Sequence, residues 1–135
     1  MTAICCIDES FGLLFNNRRQ SMDMEVRKKI YSLLNDNLLF MNEFSKKQFE
    51  ENKKIVVSET PFESCSKKDL CFFENLSLLS HIDKVDKIIL FKWNKKYPAD
   101  FFLDFFPFEN GWNLKEALDF AGSSHEKVTM EVYEK

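Results

Sequence analysis

The sequence predicts an α/β fold: a three-layer α/β/α domain around a mixed, mostly parallel sheet that ends in an antiparallel strand. Three observations carry the prediction. Apolar runs of strand length alternate with helical segments, the pattern of a parallel sheet covered by helices. Near the end, Val128, Met130 and Val132 alternate with Lys127, Thr129, Glu131 and Tyr133, as in a half-buried antiparallel strand. The chain has 135 residues, 15 of them Phe, which suits one compact core and not two. Residues 1–135 are therefore read as a single domain.

The elements follow in order. Residues 3–7 form an apolar, buried strand that stops at Asp8, Glu9, Ser10 and Gly12. Residues 13–22 show no clean period and read as a loop with a polar middle. Over 23–35, Met22, Val26, Ile30 and Leu33/Leu34 fall on one helical stripe, and Asn35, Asp36 and Asn37 end it. Residues 38–41 are a short buried strand. Ser45 and Gln48 match a capping box for a short helix to about Asn52. Residues 55–58 form a β-branched strand, and Thr60-Pro61-Phe62-Glu63 is a second capping box with Pro at the first helical position. A new apolar run starts at Cys71, and 76–86 connects without a strong period. Residues 87–93 are the strongest strand, turned at Asn94 to Pro98. Residues 101–108 hold five Phe but include Pro107, which suits an edge or a loop. Trp112 to Leu118 fits strand or helix.

Composition excludes several functions. Only Gly12, Gly111 and Gly122 are glycines, so no glycine-rich phosphate loop exists. A net charge of -3 supplies no basic field for nucleic acid. Cys5 and Cys6 would face opposite sides of a strand, Cys65 and Cys71 match no common zinc spacing, and His81 and His125 are the two histidines, so no metal site is expected. Four reduced thiols, no signal-like N-terminus and no long apolar run point to a cytoplasmic protein with no membrane span.

The residues taken together resemble the dihydrofolate reductase family. The resemblance runs over nearly the whole chain and rests on spread positions, not one motif. Asp8-Glu9-Ser10-Phe11-Gly12 is similar to the loop after that family's opening strand, and Asp23 to the carboxylate that opens its first helix and anchors the pterin. Met41-Asn42-Glu43-Phe44-Ser45 resembles the strand end that starts its second helix, and Ile55-Val56-Val57-Ser58 the strand that follows. Ile88-Ile89-Leu90, Pro98-Ala99-Asp100-Phe101-Phe102, Pro107, Trp112 and Glu131-Val132-Tyr133-Glu134 resemble its last third.

The resemblance implies NADPH-dependent reduction, but the departures fall on that chemistry. The family's double glycine at the cofactor pyrophosphate corresponds to Glu74-Asn75, and its Gly-Arg pair to Asn42-Glu43. No arginine stands between Thr60 and Cys71 to clamp a folate glutamate. NADPH is therefore disfavoured, and the expectation is no cofactor. A weaker resemblance links FNNRRQS, KWNKKYP and FAGSSHEK to short bacterial sequences and names no activity.

The reading that follows is a small-molecule or nucleotide-binding protein with its ligand in the central cleft. Asp23 would hold the ligand's polar edge through two hydrogen bonds, against the plainer reading of a helix-start acid. Arg18 or Arg19 would hold its anionic part, with Asn17 and Ser45 completing the set, against a solvated charged loop. His125, beside Ser124 and Glu126, is the second catalytic candidate after Asp23, although sequence neighbours do not make a triad. Two alternatives stay open. One is a non-catalytic interaction module or homodimer using the Phe-rich 101–108 segment. The other is a metal-independent RNA-cleaving enzyme using His125 with Arg18 and Arg19.

Overall fold

The computed structural model describes residues 1–135. The elements are β1 (Thr2–Ile7), β2 (Gly12–Phe15), β3 (Arg18–Arg19), α1 (Met24–Leu34), β4 (Leu39–Met41), α2 (Glu43–Lys46), β5 (Ile55–Val57), α3 (Pro61–Ser64), β6 (Leu70–Phe72), β7 (Lys87–Lys92), β8 (Phe101–Phe102), β9 (Asn113–Phe120) and β10 (Val128–Glu134). Two 3-10 helices, Leu79–Lys84 and Pro107–Glu109, join them. Seven strands form one sheet in the order β5-β4-β6-β1-β7-β10-β9, and β3-β2-β8 form a small second sheet. β1 runs parallel to β6 and β7, and β4 parallel to β5 and β6. β10 is antiparallel to both β7 and β9, with a register shift between Val132 and Tyr133.

The central strands are apolar throughout because both sheet faces are covered. Ala3, Cys5 and Ile7 enter one core, while Ile4 and Cys6 meet the other. The second core lies under α1, where Val26, Ile30 and Leu34 recur every fourth residue. The first core has no long helix. Phe62 of α3, Leu78, Val85, Leu103 and the rings of Phe101, Phe105 and Phe106 cover it instead. Most of the Phe-rich segment is therefore sheet cover, while Phe102 and Phe108 stay 45% and 46% exposed.

Several local expectations are corrected. Residues 13–22 are not a loop. Asn16 and Asn17 both take positive φ and make a two-residue turn between β2 and β3, which suits the twist of paired strands. Ser45 does not cap α2. Asn42 does, accepting from the Ser45 amide at 3.1 Å, and the helix stops at Lys46. α3 starts at Pro61 as expected, but Thr60 makes no side-chain cap. The 76–86 connection contains a 3-10 helix. Residues 113–120 form the edge strand β9. No helix is long and apolar enough to cross a membrane.

Candidate functional site

Open α/β sheets bind ligands beyond the carboxyl ends of their parallel strands. Here those ends carry Asp8 after β1, Asn42 after β4, Glu74 after β6 and Trp93 after β7. Two polar clusters fill this rim.

The first is built on Glu74, which is 7% exposed. Arg19 grips it with both arms of the guanidinium, Nε to Oε2 at 3.0 Å and Nη2 to Oε1 at 3.1 Å. Ser45 Oγ donates to Oε1 and Gln48 Nε2 to Oε2, each at 2.9 Å. Arg19 also donates to the Phe44 carbonyl and lies over the Phe44 ring at 4.5 Å. Beside it, Asn42 Nδ2 donates to Asn75 Oδ1 at 2.8 Å. Side chains thus bridge the ends of β4 and β6.

The second cluster is a chain of hydrogen bonds. Asp23 caps α1 and is 1% exposed. Its Oδ1 accepts from the Glu25 and Val26 amides, and its Oδ2 from the Ser124 amide and hydroxyl. Burial alone would raise this carboxyl, but the bonds from Ser124 and Val26 outweigh it and hold it at about 2. Ser124 spends its proton on Asp23, so His125 Nδ1–H donates to Ser124 Oγ at 2.7 Å. His125 Nε2 then accepts from Tyr97 Oη at 2.6 Å. The imidazole stacks on Trp93 with centroids 4.7 Å apart. Burial and Lys95 push His125 below its ordinary value, against the pull of Asp23. The ring is held neutral with the proton on Nδ1.

This chain backs a surface pocket of about 520 Å³, whose lining includes Trp93, Lys95, Ser124, His125, Glu126 and Lys127. Lys95 and Lys127 make no ion pair within the chain.

The predicted residues are therefore only partly brought together. Asp23 and His125 are joined through Ser124. Arg19 and Ser45 meet in the Glu74 cluster. Arg18 is exposed, on the face of β3 opposite Arg19, and Asn17 is an exposed turn residue. The arginines and His125 share no hydrogen-bonded cluster. Glu74, Ser124, Tyr97 and Asp8 take hydrogen-bonding roles that their sequence positions do not predict. Asp8 is 1% exposed and accepts from the Ser10, Gly12 and Tyr97 amides and from Gln20 Nε2. The Asp8-to-Gly12 spacing was the available signal for that turn. No group of three or more His, Cys, Asp or Glu side chains is arranged to hold a metal ion.

A scan against protein-family models finds no match, and no curated protein matches. Among solved structures the chain is similar to dihydrofolate reductase from Enterococcus faecalis, complexed with NADP(H) and RAB-propyl. That likeness has a TM-score of 0.69 at 11% identity and covers 98% of this chain and 94% of the other. Strand order, the paired cores and this likeness agree: the chain has a dihydrofolate reductase-like fold.

Proposed function

We propose that this chain is a small-molecule-binding protein on a dihydrofolate reductase-like scaffold that has given up NADPH-dependent reduction. Its ligand is a small anion, nucleotides included, held in the pocket beside Trp93 and His125. One observation carries the reading. A pocket of about 520 Å³ sits at the carboxyl end of β7, and Ser124 and His125, held by the hydrogen-bonded chain that runs from Asp23 to Tyr97, line it. Asp23 acts as a positioning residue: its acceptor sites are taken by protein donors, and it sets Ser124 and His125. Lys95 and Lys127 supply the charge for an anionic group. The residues between β4 and β6 do not fit a dinucleotide. Buried Glu74 stands where the resemblance puts the family's pyrophosphate glycines, and the segment after β6 opens a 3-10 helix and no α-helix to receive phosphate.

The test is a melting screen with NADPH, pterins and purine and pyrimidine nucleotides, with Trp fluorescence as a second readout. A ligand at 100 times its Kd adds about 2.7 kcal/mol of stability. The expected result is that at least one anion raises the melting temperature, with the shift lost in Lys95→Glu and Lys127→Glu. A panel with no shift, or a shift unchanged in both variants, would contradict the reading.

A second reading rests on Phe15, Phe102 and Phe108, each more than 40% exposed. They suit a protein contact or a homodimer. Light scattering on the wild type and on Phe102→Asp/Phe108→Asp tests it: a dimer that the substitutions dissociate supports it, and a monomer in both removes the homodimer.

A further inference from the structure

All four cysteines are free thiols, yet two of them are arranged differently from the rest. Cys65 ends α3 and Cys71 lies in the middle of β6, six positions on. Cys71 is fully buried in the core under α3, and Cys65 is partly exposed and packs against that same core. The Cys65 thiol points to the Leu70 carbonyl, one peptide from Cys71, at 3.8 Å. Both side chains therefore belong to the same core, with the Cys65 sulfur beside the peptide that leads into Cys71. On its outer side Cys65 lines a separate surface pocket of about 300 Å³ with Ser66, Lys67, Asp83 and Lys84. One sulfur thus borders a solvent pocket whose lining carries Lys67 and Lys84 together with Asp83 and Asp86, and a second, fully buried cysteine lies in the core behind it.

We infer that Cys65 and Cys71 form a redox modification site, in which a peroxide oxidises Cys65 from the surface pocket and Cys71 resolves it to an intramolecular disulfide. The thiolate of Cys65 attacks one peroxide oxygen; the S–O bond forms, the O–O bond breaks and the other oxygen leaves as hydroxide. Cys65 is then a sulfenic acid, oxidised by two electrons while the peroxide is reduced. The Cys71 sulfur attacks it, the S–S bond forms, the S–O bond breaks, and water leaves with the Cys71 proton. Two thiols and one hydrogen peroxide give one disulfide and two waters. An accessible thiol next to a resolving thiol is the arrangement that redox-sensing cysteines use. Contact with Cys65 and burial push the Cys71 thiol well above its ordinary range, so Cys71 waits as a protonated resolver and does not react first. Cys5, deeper in the same core, is pushed up by burial and by Glu74 and has no place in this pair.

The experiment is hydrogen peroxide treatment of the folded chain, followed by alkylation, intact mass and peptide mapping without reductant. Wild type should lose two hydrogens and yield a 65–71 cross-link that a thiol reductant reverses. Cys65→Ser should form no such link. Cys71→Ala should trap a Cys65 sulfenic acid that dimedone captures; Cys71→Ser is the second variant if the alanine form does not fold by circular dichroism. Stable sulfenic acid on wild-type Cys65, preferential oxidation of Cys5 or Cys6, or a link only between chains would each overturn the inference.

Discussion

Glu74 accepts four side-chain hydrogen bonds at the rim of the sheet, and Arg19 provides two of them. Removing either partner leaves a mostly buried charge without its counterion, which typically costs about 3–5 kcal/mol. Arg19→Met and Glu74→Gln should each lower the urea midpoint sharply, and the double variant should lose less than the sum of the two. Additive losses would show that the pair acts as two independent groups. A second residue-scale prediction concerns pH. Asp23 is held at about 2 against an ordinary 3.8, so its contribution is present above about pH 4 and lost as pH falls toward 2. That difference is worth about 2 kcal/mol. His125 is also lowered, so the unfolded chain takes up its proton first as pH drops below the ordinary 6.5, and stability falls there. Urea midpoints measured across this range should decline in two limbs. Asp23→Asn should shrink the acid limb, to which Asp69, Asp86 and Glu63, also held low, contribute, and His125→Asn should flatten the one nearer neutrality.

At the scale of elements, the β9–β10 hairpin depends on one glycine. A Cβ on Gly122 would lie 2.5 Å from Asp23 Oδ2, 2.9 Å from Val128 Cγ2 and 3.0 Å from the His125 carbonyl. Gly122→Ala should cost about 2 kcal/mol by overpacking and should disturb the Ser124–His125 pair, seen as a change in Trp93 fluorescence. An unchanged midpoint and spectrum would contradict this. The same hairpin shows what the sequence made legible. β1, β7 and β10 announce themselves through long apolar or alternating runs, and α1 through its fourfold stripe and Asp23. β2 and β3 escape a pattern reading because each has at most four residues, and their signal is the Asn16-Asn17 turn. Ser45 looks like a cap because it stands three before Gln48, but Asn42 occupies that role and frees Ser45 to reach Glu74. The site was legible only in its parts. Asp23 and Ser124 are 101 positions apart, and Arg19 and Glu74 are 55 apart, distances at which no local spacing predicts contact.

Across the whole molecule, one scaffold carries two crevices in different states. The scarcity of glycine acquires a place in the fold: the rim between β4 and β6 is filled by Glu74, Asn75, Asn42 and Arg19 side chains, whereas the rim at β7 keeps an open pocket lined by Trp93 and two lysines. We propose that this dihydrofolate reductase-like scaffold works without a dinucleotide. The most direct measurement is a calorimetric titration of the folded chain with NADPH. We predict no saturable binding at concentrations where nucleotide-dependent reductases saturate. Saturable binding at one site per chain, weakened by Asn75→Trp at the filled rim, would contradict the account.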